Sequence, residues 1–151
     1  MRIMVTGDRG YIGSVLVPTL LKKNFDVFGI DSGYFKDNLL FEHLDDYENF
    51  TCDIRDIESE LFKNIDAVIH LAGLSNDPLG ELTPNITFEI NYKATINLAI
   101  IAKKSGVKRF VYASSQSMYG ISNSSAELDE YNSEKNPITA YASAKWKAEQ
   151  E

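Results

Sequence analysis

Tyr141 and Lys145 stand four residues apart in a stretch from Ala140 that reads as helical. At that spacing a phenol and an ammonium share one helix face. Such a pair can move protons. A tyrosine ionises at about pH 10, and bringing a phenol to about pH 7 needs roughly 4 kcal/mol. One ammonium at about 6 Å, in an effective dielectric of about 20, supplies roughly 3 kcal/mol. A positively charged nicotinamide ring would add much of the remainder. The third part is a hydroxyl, Ser115, which with Ser114 follows the apolar run Val107 to Ala113. It is placed to hold the substrate oxygen that Tyr141 deprotonates while hydride leaves the carbinol carbon for a nicotinamide. Tyr-x-x-x-Lys also arises by chance on surface helices. The pair therefore takes its meaning from the elements that position it.

The main positioning element is Met4-Val5-Thr6-Gly7-Asp8-Arg9-Gly10-Tyr11-Ile12-Gly13. The apolar run Ile3 to Val5 reads as a buried strand, and Tyr11 to Leu21 as an amphipathic helix; a glycine-rich turn joins them. Gly7 permits the turn, Gly10 lets a diphosphate approach the backbone, and Gly13 lets helix lie close on strand. The helix start at Tyr11, Ile12 and Gly13 would face the phosphates with free N–H groups and a positive dipole end.

A second apolar run, Phe25 to Ile30, ends at Asp31, eighteen residues past Gly13. A carboxylate there accepts hydrogen bonds from ribose hydroxyls and repels a 2′-phosphate, so the expected cofactor is NAD rather than NADP. Asp-Ser-Gly is also ordinary turn chemistry. Asn49 to Cys52 reads as a third strand, running into Asp53 and Ile54, placed to face the adenine amino group and cover its ring. Asp56 to Lys63 reads as a short helix with an acidic start. Asp66 to Gly73 reads as a buried strand ending in Leu71, Ala72 and Gly73, small enough at the turn for a ribose and diphosphate to lie against the backbone. His70, inside that apolar strand, is expected to be a hydrogen-bonded core residue.

Pro84 to Ser105 is the longest helix candidate. One apolar stripe runs Ile86, Ile90, Ala94, Leu98 and Ile101, and another Phe88, Tyr92, Thr95, Ala99 and Ala102. One face suffices to cover a sheet, so the second is expected on a neighbouring helix or a partner subunit. Asn91 between two apolar neighbours is expected to hydrogen-bond to a loop or the cofactor. Gly106 reads as a helix cap. Ser32 to Glu48 reads as a long connection with one helical turn, and Ile121 to Thr139 as an active-site loop or a segment ordered by a partner.

The chain has 151 residues, 44% hydrophobic and 25% charged, as in a soluble globular domain. A net charge of −7 without a Lys/Arg cluster argues against nucleic acid as the main partner. Cys52 is the only cysteine, which excludes an internal disulfide and suits a reducing compartment. Ile12 to Leu21 is too short to span a bilayer and contains Pro18. No signal peptide precedes the first strand, so a cytoplasmic location without membrane partner is expected; no metal is expected.

Thr6-Gly7-x-x-Gly10-x-x-Gly13, Asp31, Asp53-Ile54, His70-Leu71-Ala72-Gly73, Ser114-Ser115-x-x-x-Tyr119-Gly120 and Tyr141-x-x-x-Lys145 together resemble the extended short-chain dehydrogenases/reductases. Within them the chain is most similar to the NAD-dependent nucleotide-sugar epimerases of the UDP-galactose 4-epimerase type. The resemblance covers the whole chain. It implies an α/β, doubly wound, Rossmann-type parallel sheet of order 3-2-1-4-5, forming one NAD-binding domain over residues 1–151. It also implies tightly held NAD and a nucleotide-sugar substrate. On that resemblance Tyr141 would be the base, Lys145 would bind the ribose and ease ionisation of the phenol, and Ser115 would bind the substrate hydroxyl. A homodimer through the Pro84–Ser105 helix and the helix from Ala140 is implied too. Family members run to roughly twice this length, so the last strands and the substrate domain would lie beyond Glu151.

Where the 4,6-dehydratases of this family carry an Asp-Glu pair, this chain has Gln116 and Ser117, which disfavours dehydration. The expected activity is transient hydride transfer from a sugar carbinol to NAD and back, by way of a keto-sugar. A dehydratase or reductase of the same family, a non-catalytic NAD-binding module, and a bare structural domain are the alternatives.

Overall fold

The structure is a computed structural model that describes residues 1–36, 47–121 and 127–151. It divides into two compact units, Met1–Gly73 with Ala94–Ala113, and Leu74–Lys93 with Ser114–Glu151.

The first unit holds five parallel strands: β1 (Arg2–Thr6), β2 (Asp26–Asp31), β3 (Glu48–Thr51), β4 (Ala67–His70) and β5 (Arg109–Tyr112). Their order is β3-β2-β1-β4-β5, the doubly wound order implied by the sequence. The central strand β1 is buried along Ile3, Met4 and Val5, which is why it is continuously apolar rather than alternating. Its register pairs Thr6 with Ile30 of β2 and with His70 of β4. Helix α1 (Gly13–Lys22) buries Val17 and Leu20 against this sheet, in one cluster with Ile3, Val5, Val27 and Ala67.

Between β3 and β4 the expected helix Asp56–Lys63 is not formed. Two 3₁₀ turns, Ile54–Asp56 and Ser59–Phe62, take its place, with Ile57 extended between them. Ile54, Ile57 and Phe62 are all buried, and their spacing of three and five residues does not fit one face of so short a helix. The helical turn expected within Ser32–Glu48 falls largely on residues 37–46, outside the described residues.

The second unit contains α2 (Asp77–Leu82), α3 (Pro84–Phe88), a 3₁₀ turn at Gln116–Tyr119 and α5 (Ala140–Gln150). Sequence reading missed α2, whose signal was present. Asn76 accepts the Leu79 N–H at 2.9 Å as an N-cap, and Pro78 occupies the first turn. Thr139 caps α5 in the same manner through the Ala142 N–H, at 3.1 Å.

The single helix expected over Pro84–Ser105 is helical but not uniform. After α3 the chain opens into a π-helical turn, Glu89–Ala94, and continues as α4 (Thr95–Lys104) in the first unit. The extra residue in that turn shifts the pattern. The buried positions are Thr87, Asn91, Ala94, Thr95, Leu98 and Ala102, while Ile86 of the first stripe is exposed and Phe88, Tyr92 and Ala99 of the second are half-buried, so neither predicted stripe is buried as a whole. Gly106 ends α4 with φ +84°. Of the predicted loop Ile121–Thr139, the described residues form no helix or strand, and 122–126 lie outside the described set.

Candidate functional site

In the first unit the glycine-rich turn is fixed by contacts that only glycine allows. Gly7 adopts φ +75°, and its N–H donates to the Ile30 carbonyl at 2.7 Å. A Cβ there would stand 2.7 Å from the Ala72 nitrogen, and one on Gly13 only 2.2 Å from the Gly7 carbonyl oxygen. Gly10 differs: a Cβ would meet nothing nearer than the Gly7 oxygen at 3.3 Å, so its outer side is open. Tyr11 and Ile12 are exposed at the entry to α1, where Ser14 donates to the Gly10 carbonyl and Val15 and Leu16 donate to the Ile12 carbonyl. An open glycine before a helix start fits a diphosphate.

Asp31 ends β2. One carboxylate oxygen accepts the Gly33 N–H at 2.7 Å, and the other accepts the Arg9 N–H at 3.4 Å. These contacts leave further lone pairs for ribose hydroxyls. Asp53 is gripped by Arg55 through the backbone N–H at 2.9 Å, Nε at 3.0 Å and Nη2 at 2.7 Å. The guanidinium hydrogen bonds hold that carboxyl below the usual carboxylate range. Ile54 is buried in the unit's core rather than exposed.

His70 is buried, with Nδ1 2.6 Å from Thr6 Oγ1 and Nε2 2.9 Å from Thr95 Oγ1. Both ring nitrogens are engaged within the unit, as expected of a core histidine. Thr6 in turn accepts the Ala72 N–H at 3.4 Å through its hydroxyl, and the Leu71 N–H at 3.0 Å through its carbonyl. The Leu71-Ala72-Gly73 turn is thereby fixed to the end of β1, with Gly73 exposed.

In the second unit Asn91 is buried and clamps one peptide from both sides. Its Oδ1 accepts the Leu74 N–H at 2.8 Å, and its Nδ2 donates to the Leu74 carbonyl at 2.9 Å. The described geometry gives it a loop-holding role. Ser115 caps the Gln116–Tyr119 turn, its Oγ accepting the Ser117 N–H at 3.2 Å. Ser114 Oγ donates to Glu149, which is four residues beyond Lys145 on α5.

Tyr141 and Lys145 lie in the first two turns of α5, with the Lys145 ammonium 5.9 Å from the centre of the Tyr141 ring. Lys145 is buried, and burial pushes its ammonium down to about 8. Buried Ala142, Ala144 and Ala148 surround it on the helix, small residues that let α5 pack closely. Gly80 of α2 sits against Tyr141, where a Cβ would come within 3.1 Å of the tyrosine Cβ.

Sequence reading overlooked one pair. Asp8 in the glycine-rich turn is buried, and its Oδ2 accepts the Tyr47 hydroxyl at 2.5 Å. The available signal was a lone acid in a turn otherwise suited to an anion. Among the described residues no helix is long and apolar enough to cross a membrane, and no group of three His, Cys, Asp or Glu could hold a metal.

A profile of the NAD dependent epimerase/dehydratase family matches residues 3–151. A UDP-glucose 4-epimerase of Cyamopsis tetragonoloba is 36% identical over 136 residues, covering 78% of this chain and 37% of that protein. UDP-glucuronic acid decarboxylase 1 of Xenopus tropicalis is 30% identical over 137 residues, covering 91% and 32%. Among solved structures, the Thermus thermophilus UDP-glucose 4-epimerase complex with NAD superimposes with a TM-score of 0.85 at 26% identity, over 99% of this chain and 49% of that one. The chain thus spans about a third to a half of the length of these relatives.

Proposed function

Since the chain belongs to the NAD-dependent epimerase/dehydratase family, we propose that it is the cofactor-holding part of an NAD-dependent nucleotide-sugar epimerase. The relatives named above carry UDP-sugar activities, so a UDP-hexose is the first substrate to offer. When bound, NAD supplies a reversible hydride acceptor. The first unit would hold it: the open side of Gly10 and the start of α1 take the diphosphate, and Asp31 the ribose hydroxyls. Asp53 takes the adenine amino group, and Leu71-Ala72-Gly73 the nicotinamide-side ribose.

The second unit would do the proton chemistry. Ser115 would hydrogen-bond the reacting sugar hydroxyl and the Tyr141 phenol oxygen would take its proton, with the hydride acceptor supplied by NAD. A keto-sugar results, and its return to the carbinol from the opposite face reverses both transfers. Lys145 keeps a positive charge near the phenol and binds the ribose. The observation that carries this reading is the buried Lys145 ammonium, 5.9 Å from the Tyr141 ring on one face of α5.

Tyr141→Phe in the full-length protein should lower turnover of a UDP-hexose by about a thousandfold or more while NAD stays bound. Turnover close to wild type in that variant sinks the catalytic assignment. A family decarboxylase or dehydratase, as in the Xenopus relative, would instead release carbon dioxide or water, which product mass distinguishes from a redox-neutral isomerisation. Gln116 and Ser117, in place of an Asp-Glu pair, speak against dehydration. A homodimer through α5 and the 84–105 segment belongs to the same reading, and sedimentation at equilibrium tests it.

A further inference from the structure

An acid buried inside a turn meant for a diphosphate calls for an explanation. Asp8 has no exposed surface, and its carboxyl occupies space that Gly29 of β2 leaves open. A Cβ on Gly29 would lie 2.3 Å from Asp8 Oδ2 and 2.7 Å from Tyr47 Cε2, so β2 accommodates this pair only with glycine there. Tyr47, also buried, brings its hydroxyl to Oδ2 from the segment that leads into β3. The other oxygen, Oδ1, is buried without a hydrogen-bond partner among the described residues.

That unmatched oxygen disfavours the charged form of the group. A carboxylate would leave a share of a full negative charge unpaired in the interior, whereas a carboxylic acid leaves only a neutral polar atom. Among the described residues, the charged and titratable groups that face Asp8 are Tyr47, Asp31 at the end of β2 and Arg9 beside it in the turn. Burial raises the acid above the usual carboxylate range, and Asp31 adds to this. The Tyr47 hydrogen bond, a hydrogen bond from the backbone of Asp8 itself and the Arg9 charge act the other way. Arg9 is partly diverted, since its Nη2 donates to Asn49 Oδ1 at 2.6 Å.

We infer that Asp8 and Tyr47 are positioning residues for the cofactor diphosphate: the neutral acid, pinned by the tyrosine hydroxyl, sets the glycine-rich turn, and its ionisation weakens binding. This rests on the reading of the first unit as an NAD site. The sign follows from charge. A neutral Asp8 leaves the diphosphate facing only N–H donors, while an ionised one adds like charge beside it. Affinity through Asp8 therefore falls as pH rises.

The test is calorimetric titration of NAD into the cofactor-stripped full-length protein, from about pH 5 to about pH 8, with the melting temperature of each variant recorded alongside. Asp8→Asn keeps an acceptor for Tyr47 but cannot ionise. Relative to it, wild type should lose about tenfold in affinity across that range. Tyr47→Phe should weaken binding by about tenfold near neutrality. A wild-type slope identical to that of Asp8→Asn, or unchanged affinity in Tyr47→Phe, overturns the inference. Should Tyr47→Phe fail to fold, the Asp8→Asn slope alone decides. Wild type that binds no NAD at any pH overturns this inference together with the proposed function, whereas binding with matched slopes overturns the inference alone.

Discussion

The two units hold their key groups by different means. In the first, the arrangement is made by the backbone: Gly7 and Gly13 sit where a single methyl would collide with main-chain atoms, and strand ends deliver Asp31 and Ala72. In the second, it is made by side chains on helices: Asn91 clamps a peptide, Thr139 caps α5, and Lys145 is buried among alanines. Backbone-built sites tolerate almost no change at a few positions and much change elsewhere. Side-chain-built sites can lose chemistry while keeping their fold. Lesions at the glycine turn and strand ends of the first unit should therefore remove cofactor binding and stability together, and lesions in the second should separate them.

The largest effect is expected at Gly13. Its added methyl would stand 2.2 Å from a backbone oxygen, so Gly13→Ala should cost about 3 kcal/mol or more and release NAD. Denaturant unfolding with a count of bound nucleotide checks this; retained nucleotide at wild-type stability would erase the contrast between the units.

Next is the pH response of Lys145. Its folded ammonium, near 8, lies below its ordinary value of 10.5, so the unfolded chain binds more protons between those two values. Stability from this group is therefore lowest below about pH 8 and rises as pH climbs toward 10.5, by on the order of 3 kcal/mol. Lys145→Met should lack that rise while losing turnover, which urea titrations at several pH values resolve. An identical rise in the variant would mean that burial of the lysine does not set its energetics.

A smaller effect belongs to His70. His70→Leu fills much the same volume but leaves the Thr6 and Thr95 hydroxyls without the imidazole, at a cost of about 2 kcal/mol. Because Thr6 also holds Ala72, NAD affinity should fall with stability in this variant. The smallest is Gly106→Ala, where φ is +84° but no atom lies within 4 Å of the new methyl. Only the backbone cost of about 1 kcal/mol remains, seen as a modest drop in melting temperature with bound NAD unchanged.

Legibility in sequence follows the same division. Strands β1, β2 and β4 and the glycine turn were readable because residue type alone dictates them: a buried parallel strand must be apolar, and a positive-φ turn calls for glycine; the sheet order came with the family resemblance. The 3₁₀ turns near Ile54 were not, since their burial depends on which side of the sheet receives Ile57 and Phe62. The wide turn at Glu89–Ala94 was likewise hidden, because a window of helical periodicity assumes a constant pitch. Asp8 was passed over because a glycine-rich motif invites attention to its glycines. Asn91 was singled out for its polarity between apolar neighbours, but which peptide it would clamp depended on α2 and the loop before it.

In the turn at Glu89–Ala94 the helix holds one residue more than an α-helical pitch requires. Chain length, rather than any one side chain, thus becomes the quantity that this segment guards. Substitutions at Glu89 or Lys93, which pair with each other on the surface, leave the aim of Asn91 alone. Loss of a single residue at Ile90 would let the segment relax to ordinary pitch, a local gain in regularity. It would also swing the amide of Asn91 by about 100° away from the Leu74 peptide. A shorter and more regular helix would then be the defective one.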